Sequence, residues 1–530
     1  MKVSASPALP TLVRLDRCAW GVDDNSTFNS QIFNLDTAKL NRSKLNDLEL
    51  IYSSVMTPLI DREAELSALE DRLSRPASMS LIYGQRRVGK TFLLQHLLTK
   101  YKGSSDCLYF LADESTASAL LLRFHREVAA SGLGGGLWST ANPSDWGTAF
   151  SLLAQSLDPS RRVILVLDEL QYLLEAEPAL ASILQRVWDT VRPRGGLHLI
   201  LCGSALGTLG RLGDQHQPLH GRFDLRMKLL PFSYREAAAF LPSWEPQDRV
   251  RAYSIFGGLA RHLAEVDPDL DLATNARRAL LDPLGPLHEA PLDLLRTERV
   301  AAHAAANAVL AATASGENRF NSIAARTGLK AEQLSRVLDE LIELEILVRD
   351  RRFGDRPGSR FARYRCRDPL VTFWFRCIQP QRSALVGTPP DRLWSERIEP
   401  KLDDHMGPIF ENVVRQALEK GLLLDRFGPI DELAPWWSRD GQTEIDLIVR
   451  SGEHQLFVEC KWRAGGELRR RDLEKLRGHA ERSGVKNDGA RFALATVGGF
   501  SDRLRALADA GEVLLIGLDE LFEDAPARPT

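Results

Sequence analysis

The stretch MSLIYGQRRVGKTFLLQHL, residues 79–97, joins an apolar run, a turn with two glycines and an apolar-striped segment. The run MSLIY predicts a strand, and the residues after the turn predict a helix. Between them, Gly84, Gly89, Lys90 and Thr91 match the pattern G-x-x-x-x-G-K-[ST] in full. Glycines let the backbone curl so that successive N–H groups point at one anion. The stretch therefore predicts a phosphate-binding loop, and the alternative is a chance match in a glycine-containing turn.

The residue types of this loop indicate its ligand. Lys90 is expected to reach the β- and γ-phosphates of ATP, and the Thr91 hydroxyl is expected to bind Mg²⁺. The backbone of the other loop residues, with the N-terminus of the following helix, would surround the phosphates. ATP and Mg²⁺ are therefore the expected cofactors. The predicted nucleotide-binding residues are Gly84, Gln85, Arg86, Arg87, Val88, Gly89, Lys90, Thr91 and, on a later strand, Ser204.

A second motif, RRVILVLDELQYLL at residues 161–174, supplies the acids that such a loop requires. Its continuous apolar run is typical of a central parallel strand, and the run ends at Asp168 and Glu169. We expect Asp168 to hold Mg²⁺ through water and Glu169 to polarise the attacking water. In the alternative interpretation, Asp168 only caps the next helix.

Three further apolar runs complete a set of five strands: CLYFLADE at 107–114, LHLILCGSA at 197–205 and LRMKLLPF at 225–232. Ser204 lies at the C-terminal end of its strand, the edge where ligands bind in open α/β sheets. It is a candidate sensor of the γ-phosphate, and a simple turn serine is the alternative. The acid strand follows the loop by more than seventy residues, which leaves room for an inserted strand. This arrangement resembles the ATPases with an additional strand, including the AAA+ and STAND groups.

Six motifs occur in the order seen in the archaeal-type ATPase family: LIDREAEL, YGQRRVGKTFLL, LVLDELQYLL, LILCGSA, HGRFDLRMKLLPFSYREAAAFLP and FGGLARHL. The resemblance covers roughly residues 56–375. It implies that Arg222 acts as a finger or sensor for the γ-phosphate, and an ordinary surface arginine is the alternative. The family usually has a proline at the start of the helix after the paired glycines. This chain has Ala260 there, followed by Arg261.

The middle of the chain is predicted to be helical. Residues 233–300 are expected to form a lid over the nucleotide, and residues 301–367 a winged helix-turn-helix. The second helix of that unit is rich in acids, which is poor for a helix in a groove lined by phosphate. The wing is basic, and it either grips a nucleic-acid backbone, or is a solvated loop or a contact with acidic surfaces of another domain. Its arginines are Arg349, Arg351, Arg352, Arg356, Arg360, Arg363, Arg365 and Arg367.

The last part of the chain, residues 401–530, follows a linker helix region at 368–400. Glu411 lies on a predicted amphipathic helix, and Asp446 lies on a predicted strand. The next strand places Glu459 and Lys461 on one face, because strand side chains repeat every two residues. Carboxylates with a nearby lysine suit a magnesium-dependent phosphodiesterase, in which acids hold the metal and the lysine stabilises charge or orients water. The alternative is a strand with charges on its wet face.

The spacing D-x12-E-x-K resembles the PD-(D/E)XK restriction-endonuclease-like fold. In that fold a glutamate on the first helix, here Glu411, also joins the metal site. The resemblance therefore implies Glu411, Asp446 and Glu459 as ligands of Mg²⁺ or Mn²⁺, and Lys461 as a catalytic residue. A substrate-binding version without cleavage is the alternative.

The composition is that of an ordinary globular protein, with 44% hydrophobic and 26% charged residues among 530. A net charge of −3 means that contact with nucleic acid must come from a local patch. Six scattered cysteines indicate free thiols in a reducing cytoplasm. Because no apolar run reaches about 18 residues, no membrane span is expected. Residues 1–55 are polar and aperiodic, which predicts a disordered extension, with Met56 as an alternative start to Met1.

Together these patterns predict an α/β protein. A P-loop NTPase parallel sheet at 56–232 is followed by the helical lid, the winged helix and a C-terminal α/β nuclease-like domain. The favoured function is ATP hydrolysis that controls a DNA-binding, metal-dependent nuclease-like domain. The alternative is a STAND-like switch, whose nucleotide state gates binding of DNA or of a protein partner without cleavage. DNA is the expected partner, no membrane contact is expected, and homo-oligomer formation stays open.

Overall fold

The computed structural model describes residues 59–523 except 134, 299, 357, 360, 424–426 and 486–488. The predicted extension at 1–55 and the alternative start at Met56 lie outside the described residues. From Leu59 onward the chain forms one compact unit with two five-stranded sheets and one two-stranded sheet. None of the described helices combines the length and the apolar character needed to cross a lipid bilayer.

The first sheet is parallel throughout, as predicted. Its strands are β1 (Ser78–Tyr83), β2 (Asp106–Leu111), β3 (Val163–Asp168), β4 (Leu197–Gly203) and β5 (Leu225–Lys228). Their spatial order is β2-β3-β4-β1-β5. β2 occupies the sequence interval between the phosphate loop and the acid strand, and β4 lies between β1 and β3 in space. Because all five strands are parallel, the phosphate loop, Asp168 and Ser204 follow strand ends at one edge of the sheet.

Helices cover both faces of this sheet. They are α1 (Glu63–Leu73), α2 (Lys90–Tyr101), α3 (Ala117–Ser131), α4 (Gly135–Thr140), α5 (Trp146–Ser156), α6 (Leu170–Ala176), α7 (Leu180–Val191) and α8 (Leu206–Arg211). α1 and α2 pack against Ile82 and Val166 on one face. α3, α5 and α7 pack against Leu81 and Leu165 on the other face. Because strand side chains alternate between the two faces of a sheet, a strand with apolar residues at every position needs helices on both faces to bury them. The result is this three-layer α/β/α arrangement.

The region after β5 is helical, as expected for a lid. It contains α9 (Tyr234–Ala238), α10 (Pro246–Phe256), α11 (Ala260–Leu263), α12 (Leu272–Ala276), a π turn at Arg277–Leu281 and α13 (Ala290–Thr297). Pro246 is the first residue of α10. Proline is well suited to that position, because the N–H that it lacks would have no partner within the helix.

Three helices and a two-stranded hairpin follow, which is the element order of a winged helix. They are α14 (His303–Ala314), α15 (Phe320–Thr327), α16 (Ala331–Glu343), β6 (Leu347–Asp350) and β7 (Arg363–Cys366). α15 ends at Gly328, whose φ of 70° favours glycine and starts the predicted turn. α16 buries Leu334, Leu338 and Leu341. β6 and β7 pair antiparallel.

Short helices lead from the hairpin to the C-terminal region. They are α17 (Pro369–Phe373), α18 (Arg382–Leu385), α19 (Pro390–Leu393) and the longer α20 (Leu402–Glu419). π turns at Trp374–Ile378 and Trp394–Ile398, and 3-10 turns at Gln379–Gln381 and Glu399–Lys401, connect them.

The second sheet is mixed. Its elements are β8 (Glu432–Trp437), β9 (Glu444–Ser451), β10 (His454–Lys461), α21 (Arg470–Ser483), β11 (Arg491–Thr496), α22 (Asp502–Asp509), β12 (Leu514–Ile516) and α23 (Leu518–Phe522). The order is β12-β11-β10-β9-β8. β8, β9 and β10 are antiparallel, whereas β10, β11 and β12 are parallel. α20 shares a core with Leu447 and Val458, and α21 shares one with Ile448 and Phe457 on the other face.

The loop between β6 and β7 covers β8, the edge strand of the second sheet. The Phe353 N–H donates a hydrogen bond to the Pro435 carbonyl at 2.8 Å. The Gly354 N–H donates to the Glu432 carboxylate at 3.1 Å. The Phe353 side chain is buried in the same core as Trp436. Covering an edge strand in this way removes unpaired backbone groups that would otherwise pair with other chains.

Candidate functional site

The phosphate loop leaves the end of β1 and enters α2 at Lys90. Gly89 has a φ of 100°, a conformation that glycine adopts without strain. A Cβ added to Gly84 would lie 2.3 Å from the Leu229 carbonyl oxygen, so the backbones meet too closely there for any side chain. Val88 is fully buried and anchors the loop in the sheet core. Gly84, Val88 and Gly89 thus hold the loop backbone in one conformation.

Lys90 and Thr91 lie where the motif predicts them. The buried Lys90 ammonium donates hydrogen bonds to the carbonyls of Gly84 and Gln85, each at 2.9 Å. The Thr91 hydroxyl donates to the Asp168 carboxylate at 3.1 Å. The structure thus brings together the two oxygen groups that the sequence predicts as Mg²⁺ ligands. Both are hard oxygen donors of the kind that Mg²⁺ prefers.

Tyr109 is a residue of this site that sequence reasoning missed. It lies on β2, and its hydroxyl donates a hydrogen bond to the Asp168 carboxylate. Burial and the nearby Asp168 charge both raise the Tyr109 pKa, which keeps the phenol protonated. The signal in the sequence was weak, because a tyrosine in an apolar strand usually indicates packing.

Glu169 belongs to a hydrogen-bonded group with Ser204 and Gln171. The Ser204 hydroxyl donates to the Glu169 carboxylate at 3.0 Å. The Gln171 amide donates to Glu169 and, at 3.2 Å, to the Ser204 oxygen. Glu169 has a φ of 52°, which a non-glycine residue seldom adopts. The structure thus places the predicted water-polarising acid and the predicted γ-phosphate sensor in contact, and adds Gln171, which the sequence did not single out.

The loop arginines face the helical lid. Arg86 donates to the Tyr172 hydroxyl at 3.0 Å and lies 3.6 Å from the Glu298 carboxylate. The Arg261 N–H donates to the Arg87 carbonyl at 3.3 Å. Burial and the like charge of Arg261 lower the Arg87 pKa. Positive charge therefore accumulates beside the phosphate loop, where an anion would relieve the repulsion.

Gln85 connects the phosphate loop to the winged helix. Its amide donates to the Glu345 carbonyl at 3.1 Å. Glu345 follows α16, adopts a φ of 57°, and forms an ion pair with Lys228 at the end of β5. The turn that leads into β6 is therefore held against the ATP-binding sheet by a hydrogen bond and an ion pair.

Arg222 is not brought to the phosphate loop. Its guanidinium forms an ion pair with Asp189 on α7 at 2.9 Å and donates to the carbonyls of Pro218 and His220. No phosphate-loop residue is among its hydrogen-bond partners in the described part of the chain. The role that the resemblance implies for Arg222 therefore has no support from its position within this chain.

A second group of charged residues lies in the middle of α20, near the start of β9 and at the end of β10. The Asp446 carboxylate accepts a hydrogen bond from the Cys460 N–H at 2.7 Å. The Lys461 ammonium lies 2.6 Å from the Glu459 carboxylate, which is buried. Burial, then the charges of neighbouring carboxylates, raise the Asp446 pKa above its usual range. We call Glu411, Asp446, Glu459 and Lys461 the carboxylate centre. They are the residues that the sequence pattern predicted to lie together.

Glu411 and Glu444 extend this group. Burial and the negative charge of Glu444 raise the Glu411 pKa to about 7. Glu444 was not singled out by the sequence, although it lies two residues before Asp446 on β9 and therefore on the same face. Arg363 of β7 forms an ion pair with Glu444, and its guanidinium lies 4.3 Å from the Trp437 ring centroid.

The donor set of the carboxylate centre suits a hard divalent cation. Carboxylate oxygens are the preferred ligands of Mg²⁺ and Mn²⁺, and buried acids that repel one another are relieved by a bound cation. The side chains as they stand do not form a closed cage. Among the described residues, no group of three or more His, Cys, Asp or Glu is arranged so that it could already hold a metal ion. Side-chain movement of Asp446 or Glu459 away from its present partner would have to accompany binding.

The wing arginines mostly contact the chain itself. Arg351 pairs with Glu432 on β8 at 3.0 Å. Arg349 instead donates to the Ser359 carbonyl at 2.9 Å. Arg351 and Arg363 contact acids of the second sheet, as in the alternative of an interdomain contact, whereas other wing arginines pair with acids of the hairpin itself. Carboxylates of this chain pair with Arg351, Arg352, Arg363, Arg365 and Arg367.

Residues 59–266 match the model of a family described as an ATPase domain predominantly from Archaea. They form an archaeal-type ATPase domain. This finding confirms the resemblance inferred from the six motifs. Residues 374–476 match a second family model, described as archaeal and bacterial proteins of unknown function. That match begins after β7 and reaches into α21, so it includes the carboxylate centre.

Two uncharacterized proteins of Methanocaldococcus jannaschii are similar to this chain. One is 26% identical over 424 residues, which is 79% of this chain and 90% of that protein. The other is 39% identical over 54 residues, which is 10% of this chain and 52% of that protein.

Two solved structures are also similar to parts of this chain. A Walker-type ATPase of Pyrococcus abyssi has a TM-score of 0.45 at 20% identity, covering 60% of this chain and 96% of that one. The Aeropyrum pernix ORC2 protein has a TM-score of 0.39 at 16% identity, covering 66% of this chain and 95% of that one.

Proposed function

We propose that this archaeal-type ATPase hydrolyses ATP at the phosphate loop and uses the nucleotide state to control a metal-dependent nuclease at the carboxylate centre. The family of residues 59–266 supports ATP binding and hydrolysis. One observation supports the control: the turn before the hairpin β6–β7 contacts the phosphate loop, and the hairpin contacts Arg415, one helical turn from Glu411.

At its first end, the hairpin meets the phosphate loop. Gln85 donates to the Glu345 carbonyl, and Glu345 lies two residues before β6. At its other end, Asp350 closes β6 and accepts a hydrogen bond from Arg415 at 3.1 Å. Arg415 lies four residues after Glu411 on α20, which is about one helical turn. A movement of the loop on nucleotide binding therefore has a short, hydrogen-bonded route to the carboxylate centre.

At the ATP site, each proposed role follows from a contact. When ATP binds, the Lys90 ammonium would donate hydrogen bonds to oxygens of the β- and γ-phosphates in place of the loop carbonyls. Thr91 and Asp168 would hold Mg²⁺, which supplies positive charge to the phosphates. Glu169 would accept a hydrogen bond from the attacking water, and the Ser204 hydroxyl keeps the Glu169 carboxylate in place. Arg222 stays a candidate finger only if its ion pair with Asp189 opens.

At the carboxylate centre, Glu411, Asp446 and Glu459 would hold Mg²⁺ or Mn²⁺, which when bound supplies charge to a phosphodiester. Lys461 keeps its ammonium beside Glu459, where it can stabilise negative charge or orient water. Burial lowers the Lys461 pKa, but the charges of Asp446 and Glu459 outweigh burial and raise it, so the amine stays protonated. Lys461 therefore acts as a cation and not as a base.

A second candidate function is the STAND-like switch, in which the nucleotide gates binding of DNA or a protein without cleavage. The arrangement of the carboxylates favours it, because no group of three among the described residues is already placed to hold a metal. Under this alternative, the carboxylate centre would be a charged surface and not a catalytic one.

A plasmid-cleavage assay on the full chain separates the two functions. Supercoiled plasmid is incubated with Mn²⁺ or Mg²⁺, with and without ATP. We expect nicked or linear plasmid that requires the metal and whose amount changes with ATP. Glu459→Gln and Lys461→Ala should each lose cleavage and keep ATP hydrolysis. Absence of metal-dependent cleavage in every nucleotide state, with ATP hydrolysis intact, would leave the switch as the function.

A further inference from the structure

Contact with DNA must come from a local patch, because the chain has a net charge of −3. The basic wing was one candidate, but carboxylates of this chain already pair with five of its arginines. Arginines that are paired in this way are poor phosphate ligands, since binding DNA would first break their ion pairs. A different group of cations in the C-terminal region is both exposed and less fully paired.

Three consecutive arginines, Arg469, Arg470 and Arg471, surround the start of α21, and all three are exposed. Arg470 forms an ion pair with Glu474 at 2.7 Å. No carboxylate among the described residues pairs with Arg469 or Arg471. Two guanidinium groups at this point are therefore open to an anionic partner.

A second pair of arginines lies beside the first three. The Leu468 N–H donates to the Gly499 carbonyl at 3.0 Å, and the Ser501 N–H donates back to the Leu468 carbonyl at 3.1 Å. These bonds join the segment before α21 to the segment before α22. Arg503 and Arg505 lie in the first turn of α22 and are also exposed. We call Arg469, Arg470, Arg471, Arg503 and Arg505 the arginine surface.

The arginine surface lies at the sheet edge that carries the carboxylate centre. α21 and α22 follow the C-terminal ends of the parallel strands β10 and β11, and Glu459 and Lys461 lie at the C-terminal end of β10. Arg463, two residues after Lys461, forms an ion pair with Asp472 in the first turn of α21 at 3.3 Å. This contact holds the start of α21 beside the end of β10.

The stability of the two helices does not explain these arginines. A helix N-terminus carries partial positive charge, so cations in the first turn are unfavourable there. The acids nearby only partly offset them: Asp472 and Glu474 are paired with Arg463 and Arg470, and the other acids are Glu467 and Asp502. An external polyanion would offset both the arginine charges and the repulsion from the helix ends.

We infer that the arginine surface binds the phosphodiester backbone of duplex DNA and presents it to Glu459 and Lys461. This inference rests on the proposed function only for the cleavage that would follow binding. The contacts are electrostatic and to phosphate, so binding should depend strongly on salt and weakly on base sequence.

The test measures binding of a fluorescent DNA duplex to the full chain in EDTA, over a series of salt concentrations. EDTA removes cleavage, so binding is measured alone. Arg469→Ala/Arg471→Ala/Arg503→Ala should weaken binding and flatten the plot of log Kobs against log salt by up to about 0.9 per lost phosphate contact. Replacing the same three arginines with lysine should retain most of the slope, because the contact needs charge. The alanine variant should melt no earlier than the parent, because it removes cations from helix N-termini.

A matched control removes three exposed cations of the winged helix, with Arg326→Ala/Lys330→Ala/Arg336→Ala. This control should keep the parent slope. The inference is overturned if the arginine-surface variant keeps the parent slope, or if the parent binds no duplex at low salt. Equally tight binding to polyglutamate of matched charge would also overturn it, in favour of an acidic protein partner. Normal binding without metal-dependent cleavage would instead count only against the proposed nuclease.

Discussion

Single residues of the phosphate loop hold positive charge in place before a ligand arrives. The buried Lys90 ammonium is hydrogen-bonded to two loop carbonyls. Lys90→Ala removes the cation that faces the phosphates, and a charge-assisted hydrogen bond contributes about 1.5–3 kcal/mol. We expect ATP affinity to fall by at least about 10- to 100-fold in a titration with a fluorescent ATP analogue. Lys100→Ala, at the exposed end of the same helix, is the control and should bind like the parent.

The proposed role of Glu169 is in ATP hydrolysis and not in ATP binding, so measuring both tests it. Glu169→Gln keeps the shape of the side chain but cannot polarise water as a carboxylate does. We expect ATP affinity near that of the parent and turnover lower by about 10²-fold or more. Gln171→Ala should lower turnover less, because the Ser204 hydroxyl still holds Glu169. Unchanged turnover in Glu169→Gln would mean that another group orients the water.

The raised pKa of Glu411 predicts a pH dependence of stability. Its pKa is about 7 in the folded chain, against 4.5 ordinarily, because burial and Glu444 disfavour the charged form. The unfolded chain then loses this proton at lower pH than the folded chain. Glu411 therefore costs stability as pH rises from about 4.5 to about 7, and the full cost is present above pH 7.

Glu411→Gln removes that cost. In EDTA, the variant should melt higher than the parent at pH 8, by a shift on the order of one or two degrees for a chain of this size. The difference should shrink toward pH 5. The same variant should lose any stabilisation of the parent by Mn²⁺. If the parent and the variant melt at the same temperature at pH 8, the charge of Glu411 costs no stability, and its carboxylate is in contact with solvent.

At the scale of elements, the hairpin β6–β7 is the link that we propose between the two sites. Its first turn is held by Gln85 and by the ion pair between Lys228 and Glu345. Its second contact is the pairing of Asp350 with Arg365 and Arg415. If nucleotide and metal are coupled through this hairpin, each must change the affinity for the other by the same factor.

Lys228→Ala should weaken this coupling. In the parent, we expect an ATP analogue to change Mn²⁺ affinity by about 5-fold or more, and Mn²⁺ to change analogue affinity equally. The variant should bring both factors closer to one, because the turn loses its ion pair with the sheet. Arg211→Ala is the matched control: it removes an exposed pair with Glu343 on the same interface, and exposed pairs contribute little. Equal factors in the parent and both variants would exclude the hairpin as the route.

The sequence predicted elements better than it predicted contacts between them. The five parallel strands and the phosphate loop followed from apolar runs and one motif, because strand burial and loop geometry depend on adjacent residues. The pairing of Arg363 with Glu444, 81 residues away, could not be predicted, because any exposed acid could have been the partner. For the same reason, the sequence could not decide between the possible roles of the wing arginines. Gln171 and Tyr109 were missed because each also suits its local helix or strand.

At the scale of the whole molecule, the predicted domains that follow the parallel sheet share one core, whereas the parallel sheet has a separate core on each face. Residues from the lid, the winged helix, α20 and the second sheet belong to a single cluster of buried side chains. Polar contacts follow the same route: the Tyr234 hydroxyl donates to the Leu521 carbonyl, and Gln416 on α20 accepts from the Tyr234 N–H at 3.1 Å. The sequence could not predict this shared core. The apolar periodicity of a segment shows which of its faces is buried, but not which other segment covers that face.

A shared core predicts cooperative unfolding. We expect scanning calorimetry of the full chain to give one transition for the ATPase domain and the C-terminal region, and an ATP analogue with Mg²⁺ should raise that transition as a whole. Residues 400–530 produced alone should show no cooperative transition, because α20 and α23 would expose apolar surface that α10 and the lid now cover. Two transitions, of which the nucleotide raises only one, would mean that the two parts unfold independently. In that case the coupling between nucleotide and metal would depend on the hairpin alone, and Lys228→Ala would weaken it more strongly than if the two parts unfolded together.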